Sequence, residues 1–182
     1  MINKILVAVD RFENNKSIFK TAISLAQTND AELMLLHIMS ETEANYPELL
    51  TYTYFPMVEN REYEAYQKQL EEYRQWGLNF LQDLTKEAIA AGVDTEYTQL
   101  TGNPGRTICE LAGNWSAELI LVGSRGLKGL KEMFLGSVSN YVTHHAPCSV
   151  LIVRNPVKSE SDRLSSESEK TVDRQKLITN ES

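Results

Sequence analysis

Short apolar runs alternate along this chain with longer segments in which apolar residues recur every three or four positions. A short run predicts a buried strand, and the wider spacing predicts an amphipathic helix. Strands that alternate with helices form parallel βαβ units, and their right-handed crossovers favour a doubly wound sheet. The pattern therefore predicts an α/β fold with one parallel sheet and helices on both of its faces. The five predicted strands are Ile5–Val9, Leu33–Met39, Thr95–Leu100, Leu119–Val122 and Ser149–Val153.

Two glycine clusters after the fourth predicted strand are the strongest indication of a ligand site. Gly123-Ser124-Arg125-Gly126 follows this strand directly, and nine residues later Gly136-Ser137-Val138-Ser139 begins a predicted helix. Glycine allows a tight turn and a close approach of a ligand to the backbone. The free amides and the positive dipole end of a helix start favour an anion. The clusters predict a site for a nucleotide diphosphate or triphosphate, unless their glycines serve only the turn and the packing.

Four predicted strands end beside residues that suit the same site. Asp10, Ile38, Gly102 and Gly123 all lie at or next to the carboxyl end of a strand. In an open α/β sheet, ligands bind beyond these ends, at the point where the strand order reverses. The four positions are therefore predicted to line one crevice.

The composition argues against several classes of protein. The net charge is −7, which argues against a nucleic-acid binder, because such a protein needs a basic face. The acidic balance also gives no attraction to an anionic membrane surface. No apolar run is long enough for a transmembrane helix, and the first ten residues predict a strand rather than a signal peptide. Cys109 and Cys148 are isolated in the sequence, which predicts two reduced thiols in a cytoplasmic protein.

With these motifs in place, the chain from about Asn3 to Arg154 resembles the universal stress protein family, in its single-domain ATP-binding type. The resemblance depends above all on a Gly-x-x-Gly-x9-Gly-Ser signature. The signature residues are Gly123, Gly126, Gly136 and Ser137, and further marks are Val9-Asp10, Leu36-His37-Ile38, Gly102-Asn103-Pro104 and the closing run Pro147–Val153.

The resemblance implies the strand order 3-2-1-4-5, ATP in the crevice, and a homodimer or higher homo-oligomer that pairs through the last strand, residues 148–154. Asp10 would approach the ribose and the adenine, the backbone of Ile38 would contact the adenine edge, and Gly102 would border the base or the ribose. The ribose and phosphates would be held by Gly123, Ser124, Gly126, Gly136, Ser137, Val138 and Ser139, with Arg125 as a cation near the phosphates.

Some of these residues have a purely structural alternative. Asp10 could cap the segment that follows it, Ser137 and Ser139 could bond within their own helix, and Arg125 could lie in solvent. No carboxylate cage for a metal is visible in the sequence. Mg²⁺ or Mn²⁺ would therefore bind through the nucleotide phosphates, and no protein ligand to a metal is predicted.

Residues 1–154 are predicted to form one nucleotide-binding domain, with an insertion loop at 40–60. The polar segment 155–182 is predicted to be disordered, or else to form a short helix that docks on a partner.

The aromatic part of the insertion, Tyr46–Pro56, leaves the sheet at the crevice rim. It could cover the nucleotide or contact another subunit, and exposed aromatic patches favour the second role. In the long helix that follows, Tyr63, Tyr66 and Tyr73 are predicted to be core or half-core residues.

The function that the resemblance implies is that of an ATP-binding regulatory protein in the stress response. Its nucleotide state would govern conformation, oligomerisation or the choice of a protein partner that the sequence does not identify. The alternative is a slow ATPase or phosphotransferase on the same site. However, the sequence has no Gly-Lys-Ser/Thr motif and no recognisable catalytic base, so no catalytic residue is predicted. The physiological ligand could also be AMP, ADP or a cyclic nucleotide.

Two other nucleotide-dependent classes fit the sequence less well. A dinucleotide oxidoreductase needs Gly-x-Gly-x-x-Gly in the first turn after a strand, and the turn that begins at Asp10 has no glycine. A phosphorylated receiver domain needs an aspartate after the third strand, where the chain has Leu100-Thr101-Gly102.

Overall fold

The computed structural model describes residues 1–10, 15–41, 46–47, 60–124 and 135–154. Within these ranges, strands and helices alternate, and the ends of the predicted strands differ from those of the observed ones by at most one residue. The strands are β1 (Lys4–Val9), β2 (Glu32–Met39), β3 (Thr95–Thr101), β4 (Leu119–Gly123) and β5 (Ser149–Val153). The helices are α1 (Asn15–Asn29), α2 (Asn60–Ala90), α3 (Pro104–Trp115) and α4 (Ser137–His145).

The strands form a single five-stranded sheet in which every pair is parallel. Their order is β3-β2-β1-β4-β5, which confirms the predicted α/β fold and the predicted order 3-2-1-4-5. The chain first builds outwards from β1 through β2 to β3, and then crosses to the other side of β1 for β4 and β5. The reversal of strand order therefore lies between β1 and β4.

Alternate residues of the central strand build two separate cores. Ile5, Val7 and Val9 pack with α1 and α2, whereas Leu6 packs with α3 and α4. Successive side chains of a strand point to opposite faces of the sheet, so one apolar run can fill both cores. This arrangement confirms the prediction of helices on both faces.

The strands β1 and β4 part before either of them ends. Their pairing runs from Ile5 and Leu119 only to Val7 and Leu121. On its other side, β1 stays paired with β2 as far as Val9, and β4 stays paired with β5 as far as Gly123. The last two residues of each strand therefore diverge, and a gap opens in the sheet at its carboxyl edge.

Helix α2 is longer than the sheet that it covers. Its 31 residues span about 46 Å, whereas the seven residues of β3 span about 23 Å. Gly77 lies against His37, close to the end of β2, so the turns before Tyr73 extend beyond the carboxyl edge. Tyr73 is 5% exposed and Tyr63 is 52% exposed. The predicted core or half-core position is therefore right for Tyr73 and for the half-buried Tyr66, and wrong for Tyr63.

Several predictions concern residues outside the described part of the chain. They include most of the insertion at 40–60, the tail at 155–182, and the two candidate ligand residues Arg125 and Gly126. Among the helices in the described ranges, none has the length and apolar character needed to cross a lipid bilayer.

Candidate functional site

The structure brings the four predicted strand-end residues to one edge of the sheet. Asp10 follows β1, Ile38 is the last residue but one of β2, Gly102 follows β3, and Gly123 ends β4. Asp10 follows one of the two strands that diverge and Gly123 ends the other, so the two residues flank the gap. This is the topological position at which open α/β sheets bind their ligands.

Two of these residues are constrained by the fold itself. The side chain of Ile38 is 6% exposed and packs in the core under α3 and α4, which leaves its backbone for any contact at the edge. Gly102 has a φ of +149°, which favours glycine, and its N–H donates a 3.1 Å hydrogen bond to the carbonyl of Met39. A Cβ on Gly102 would also lie 3.1 Å from Oγ1 of Thr107. The fold thus requires glycine at position 102 whether or not a ligand binds.

Gly123 differs from Gly102 in both respects. The φ of Gly123 is not positive, so other amino acids can adopt the same backbone conformation. No described atom lies within 4 Å of the point where its Cβ would be. The next residue, Ser124, is fixed by a 2.9 Å hydrogen bond from its N–H to the carbonyl of Val153. The backbone at Gly123 is therefore held in place beside open space.

The helices α3 and α4 both begin at the carboxyl edge, but only α3 has a side-chain cap. Asn103 accepts a hydrogen bond from the N–H of Arg106 through its side chain, and Pro104 occupies the first turn as predicted. At α4 the N-cap is Gly136, which has no side chain and makes no side-chain cap bond. The first helical bond of α4 is donated by Asn140 to Gly136. The N–H groups of the three residues before Asn140 therefore have no acceptor within the helix.

The sequence predicts that Ser137, Val138 and Ser139 all contact phosphate. In the structure, the three side chains differ in exposure and in hydrogen bonding. Ser137 is exposed and Val138 is half-buried against the α3/α4 core. Ser139 is 2% exposed, and its hydroxyl donates a 3.1 Å hydrogen bond to the carbonyl of Gly136. The hydroxyl of Ser139 thus makes the local bond that was the structural alternative, while its N–H still points along the helix start.

A cavity next to this edge was not predicted from the sequence. It has a volume of about 420 Å³ and lies between the projecting part of α2 and the ends of β2 and β3. The polar alternation in β3 is the only sequence signal that could have located it, since that strand presents Gln99 and Thr101 to the same face. The lining residues are Met39, Gln67, Leu70, Glu71, Arg74, Gln99 and Thr101.

Metal binding by the protein alone finds no support in the described ranges. No group of three or more histidine, cysteine, aspartate or glutamate side chains in them could hold a metal ion.

Sequence comparison relates almost the whole described chain to one family. The model of the universal stress protein family matches residues 1–154. Universal stress protein Sll1388 of Synechocystis is 40% identical over 155 residues, which cover 84% of this chain and 97% of that protein. Universal stress protein YxiE of Bacillus subtilis is 36% identical over 155 residues, which cover 85% of this chain and all of that protein.

Solved structures show the same fold at lower sequence identity. Universal stress protein UspA from Lactobacillus plantarum superposes with a TM-score of 0.66 at 21% identity and covers 84% of this chain and 98% of its own. An Arabidopsis thaliana member solved with AMP bound gives 0.58 at 20% identity, with 85% and 93% covered. A universal stress protein in complex with cAMP gives 0.53 at 24% identity, with 84% and 97% covered. From the family match, the curated relatives and the shared fold, we conclude that this chain belongs to the universal stress protein family.

Proposed function

We propose that this protein is a regulatory nucleotide-binding protein whose ligand, an adenine nucleotide, occupies the gap between β1 and β4. ATP is the proposed ligand, with AMP, ADP and a cyclic nucleotide as alternatives. The bound nucleotide would govern conformation, oligomerisation or partner binding, as the resemblance to the family implies. Asp10, Ile38 and Gly102 would lie on the side of the base and ribose. Gly123, Ser124 and the start of α4 would lie on the side of the phosphates.

The uncapped start of α4 is the observation that carries this proposal. Three N–H groups without a helical acceptor lie at the same edge of the sheet as the gap, and the positive end of the helix dipole adds to their attraction for an anion. The contrast with α3 supports the assignment, because α3 satisfies its first turn with Asn103 and α4 has no side-chain equivalent. Gly123 adds open space beside a fixed backbone, as the close approach of a phosphate or ribose requires.

The bound molecules of two relatives agree with an adenine nucleotide. One was solved with AMP and one with cAMP. Both contain adenine and ribose, and they differ in the phosphate, so the shared part of the ligand is the adenosine moiety. Titrations with AMP, ADP and ATP would determine the number of phosphates that this chain prefers.

We propose that a divalent cation binds at the site together with the nucleotide, through its phosphate oxygens. The described residues provide no carboxylate cluster for an ion, whereas a polyphosphate supplies the hard oxygen ligands that Mg²⁺ and Mn²⁺ prefer. When bound, the cation would neutralise phosphate charge. The chain itself would hold the phosphates through the amides at the start of α4 and through Arg125, which lies outside the described residues.

We further propose that two copies associate through β5 and that the protein acts in the cytoplasm. The strand β5 lies at the edge of the sheet, and its Leu151 is 36% exposed. An exposed edge with apolar side chains can pair with the same edge of a second copy. The folded domain is proposed to end at Arg154, and residues 155–182 to form a separate polar tail.

Calorimetry with the purified full-length protein tests the proposed ligand. ATP with Mg²⁺, ADP, AMP and cAMP are titrated separately, and the protein as isolated is examined by native mass spectrometry for a bound nucleotide. At 100 times its dissociation constant, a ligand of the folded state stabilises it by about 2.7 kcal/mol. The melting temperature should then rise by roughly 5 to 10 °C. No heat and no thermal shift with all four nucleotides would refute the proposal.

The same sample separates a binding protein from a slow ATPase. Phosphate release from ATP is followed under single-turnover conditions, with the protein in excess over ATP. A regulatory binding protein should retain intact ATP over many dissociation times. Stoichiometric release that is lost in Gly136→Val would instead support the enzymatic alternative.

A further inference from the structure

The two cysteines, which are isolated in the sequence, border the same hydrophobic core in the fold. Cys109 lies in the middle of α3, and Cys148 immediately precedes β5. Both are half-buried, and both pack against the same hydrophobic core under α3 and α4. Their side chains therefore belong to one cluster, although they come from different elements.

The contacts of neighbouring residues show how α3 presents Cys109 to this cluster. Gly105 and Gly113 lie one helical turn before and after Cys109, on the same side of α3. A Cβ on Gly105 would lie 2.8 to 2.9 Å from the side chain of Tyr141, and one on Gly113 would lie 4.0 Å from Cγ of Pro147. Both partners belong to α4 or to the turn after it. The side of α3 that carries Cys109 is thus closely packed against the residues that lead into Cys148.

The electrostatics agree with this proximity. Burial raises the pKa of the Cys148 thiol, and the negative charge of a Cys109 thiolate raises that pKa further. Burial also raises the pKa of Cys109, followed by the effect of Glu110. Both thiols are mostly protonated at neutral pH, so their reactions with oxidants are slow.

We infer that Cys109 and Cys148 form a redox-active pair that a low-molecular-weight disulfide converts into an intramolecular disulfide joining α3 to the start of β5. This modification is independent of the proposed nucleotide binding. The bond requires the two Cα atoms to lie within about 7 Å of each other. The close packing of α3 on the Pro147 turn makes such an approach possible without unfolding either element.

The reaction with glutathione disulfide proceeds in two exchange steps. One cysteine loses its proton, and its thiolate attacks a sulfur of glutathione disulfide. A mixed disulfide forms and one glutathione thiolate leaves. The thiolate of the second cysteine then attacks the protein sulfur of the mixed disulfide and releases the second glutathione thiolate. The protein loses two protons and two electrons, and glutathione disulfide gains them as it becomes two glutathione thiols.

The new bond would close a loop of chain that contains the whole predicted phosphate site. The closed loop from Cys109 to Cys148 contains β4, the glycine clusters and α4. A loop of this size loses much of its freedom in the unfolded chain when it is closed. We therefore expect the melting temperature of the oxidised protein to exceed that of the reduced protein by about 10 °C.

Peptide mapping of the full-length protein tests the inference. One sample of reduced native protein is equilibrated with glutathione disulfide, and a second is refolded from urea in the same buffer. The oxidised product is thus reached once from the native state and once from the unfolded state. Free thiols are then blocked with N-ethylmaleimide, and trypsin is added without reductant. The expected product joins the peptides 107–125 and 132–154, and it comes from a protein that stays monomeric in non-reducing gels. Cys109→Ser and Cys148→Ser should show neither the joined peptide nor the thermal shift.

Three results would overturn the inference. The first is full labelling of both cysteines by N-ethylmaleimide in both samples. The second is a disulfide that links two chains and persists in Cys109→Ser. The third is an intramolecular disulfide in the refolded sample whose circular dichroism or melting temperature shows loss of the native fold.

Discussion

The side-chain amide of Gln99 on β3 lies 3.0 Å from Nδ1 of His37 on β2. An amide nitrogen only donates, so Nδ1 is the acceptor in this arrangement. His37 is fully buried, and the rings of Tyr73 and Trp76 on α2 lie 6.4 Å and 6.1 Å from its own ring. This polar pair therefore bridges β2 and β3 directly beneath α2.

We predict that Gly77→Ala destabilises the protein because of this pair. The new Cβ would lie 2.1 Å from Nε2 of Gln99 and 2.8 Å from Nδ1 of His37. The long side chain of Gln99 can move, but the buried ring of His37 cannot move freely. Alanine gains about 1 kcal/mol of helix propensity, and overpacking costs about 1 to 3 kcal/mol. Urea unfolding should show a net loss of about 1 kcal/mol.

Gly113→Ala is the matched control for that variant. Gly113 also lies inside a helix, but a Cβ at this position would come no closer than 4.0 Å to the ring of Pro147. We expect this variant to be as stable as the wild type or up to about 1 kcal/mol more stable. Equal effects of the two substitutions would show that steric contact with His37 does not decide the outcome.

We predict that Gly123→Ala leaves the fold stable and weakens nucleotide binding. Position 123 has open space around its Cβ and no positive φ that requires glycine, so the unfolding free energy should change by less than about 0.5 kcal/mol. A methyl group would nevertheless occupy space that the proposed ligand needs. Calorimetry should show at least a tenfold loss of affinity, which corresponds to about 1.4 kcal/mol. Unchanged affinity would exclude a close approach of the ligand to Gly123.

The serines at the start of α4 should respond differently to removal of their hydroxyls. Ser139→Ala breaks the bond from the hydroxyl to the carbonyl of Gly136 and should cost about 1 kcal/mol of stability. Ser137 is exposed, so Ser137→Ala should leave stability unchanged and reduce the affinity for a phosphorylated nucleotide severalfold. Thermal unfolding and calorimetry on both variants measure the two effects. A stability loss in Ser137→Ala with unaltered binding would reverse the proposed roles.

The stability of the protein should depend on the protonation of Glu118. Hydrogen bonds from the backbone N–H and then from the side chain of Asn3 hold the pKa of Glu118 below its usual value. A carboxylate with a lowered pKa in the folded state stabilises that state above its ordinary pKa, and the contribution is lost as the pH falls towards the lowered pKa. Melting temperatures measured from pH 7 down to pH 3 should therefore fall more steeply for the wild type than for Glu118→Gln. Parallel curves would show that this carboxylate contributes nothing measurable.

Leu151→Lys should convert the proposed dimer into a monomer. A charged lysine on an edge strand opposes pairing with a second strand. Because Leu151 is already 36% exposed, the folded monomer should tolerate the change. Light scattering after size-exclusion chromatography gives the mass directly. A wild type that is monomeric at high concentration would contradict association through β5.

The sequence predicted the architecture because strand and helix signals agree along this chain. The apolar runs of β1, β2 and β4 are buried on both sides, and such runs are hard to mistake for another element in an alternating pattern. The edge strand β3 is polar, yet its alternation between Thr95 and Leu100 was still sufficient.

The site was less accessible to sequence analysis, because its features depend on contacts between distant residues. The motif located Ser137 and Ser139 on one helix start, but it did not reveal that Ser139 bonds to Gly136. Tyr63 follows the same spacing as Tyr73, and only the length of α2 relative to the strands separates an exposed residue from a buried one. The placement of Cys109 and Cys148 against one core has no signal in their spacing, because it follows from the packing of α3 and α4 on the same face of the sheet.

The early parting of β1 and β4 means that the opening at the edge of the sheet is formed by main chains rather than by a particular set of side chains. Substitutions around its rim can therefore alter which molecule is accepted while the framework that creates the space stays intact. A lineage that keeps this crossover can diversify its ligands at little risk to folding.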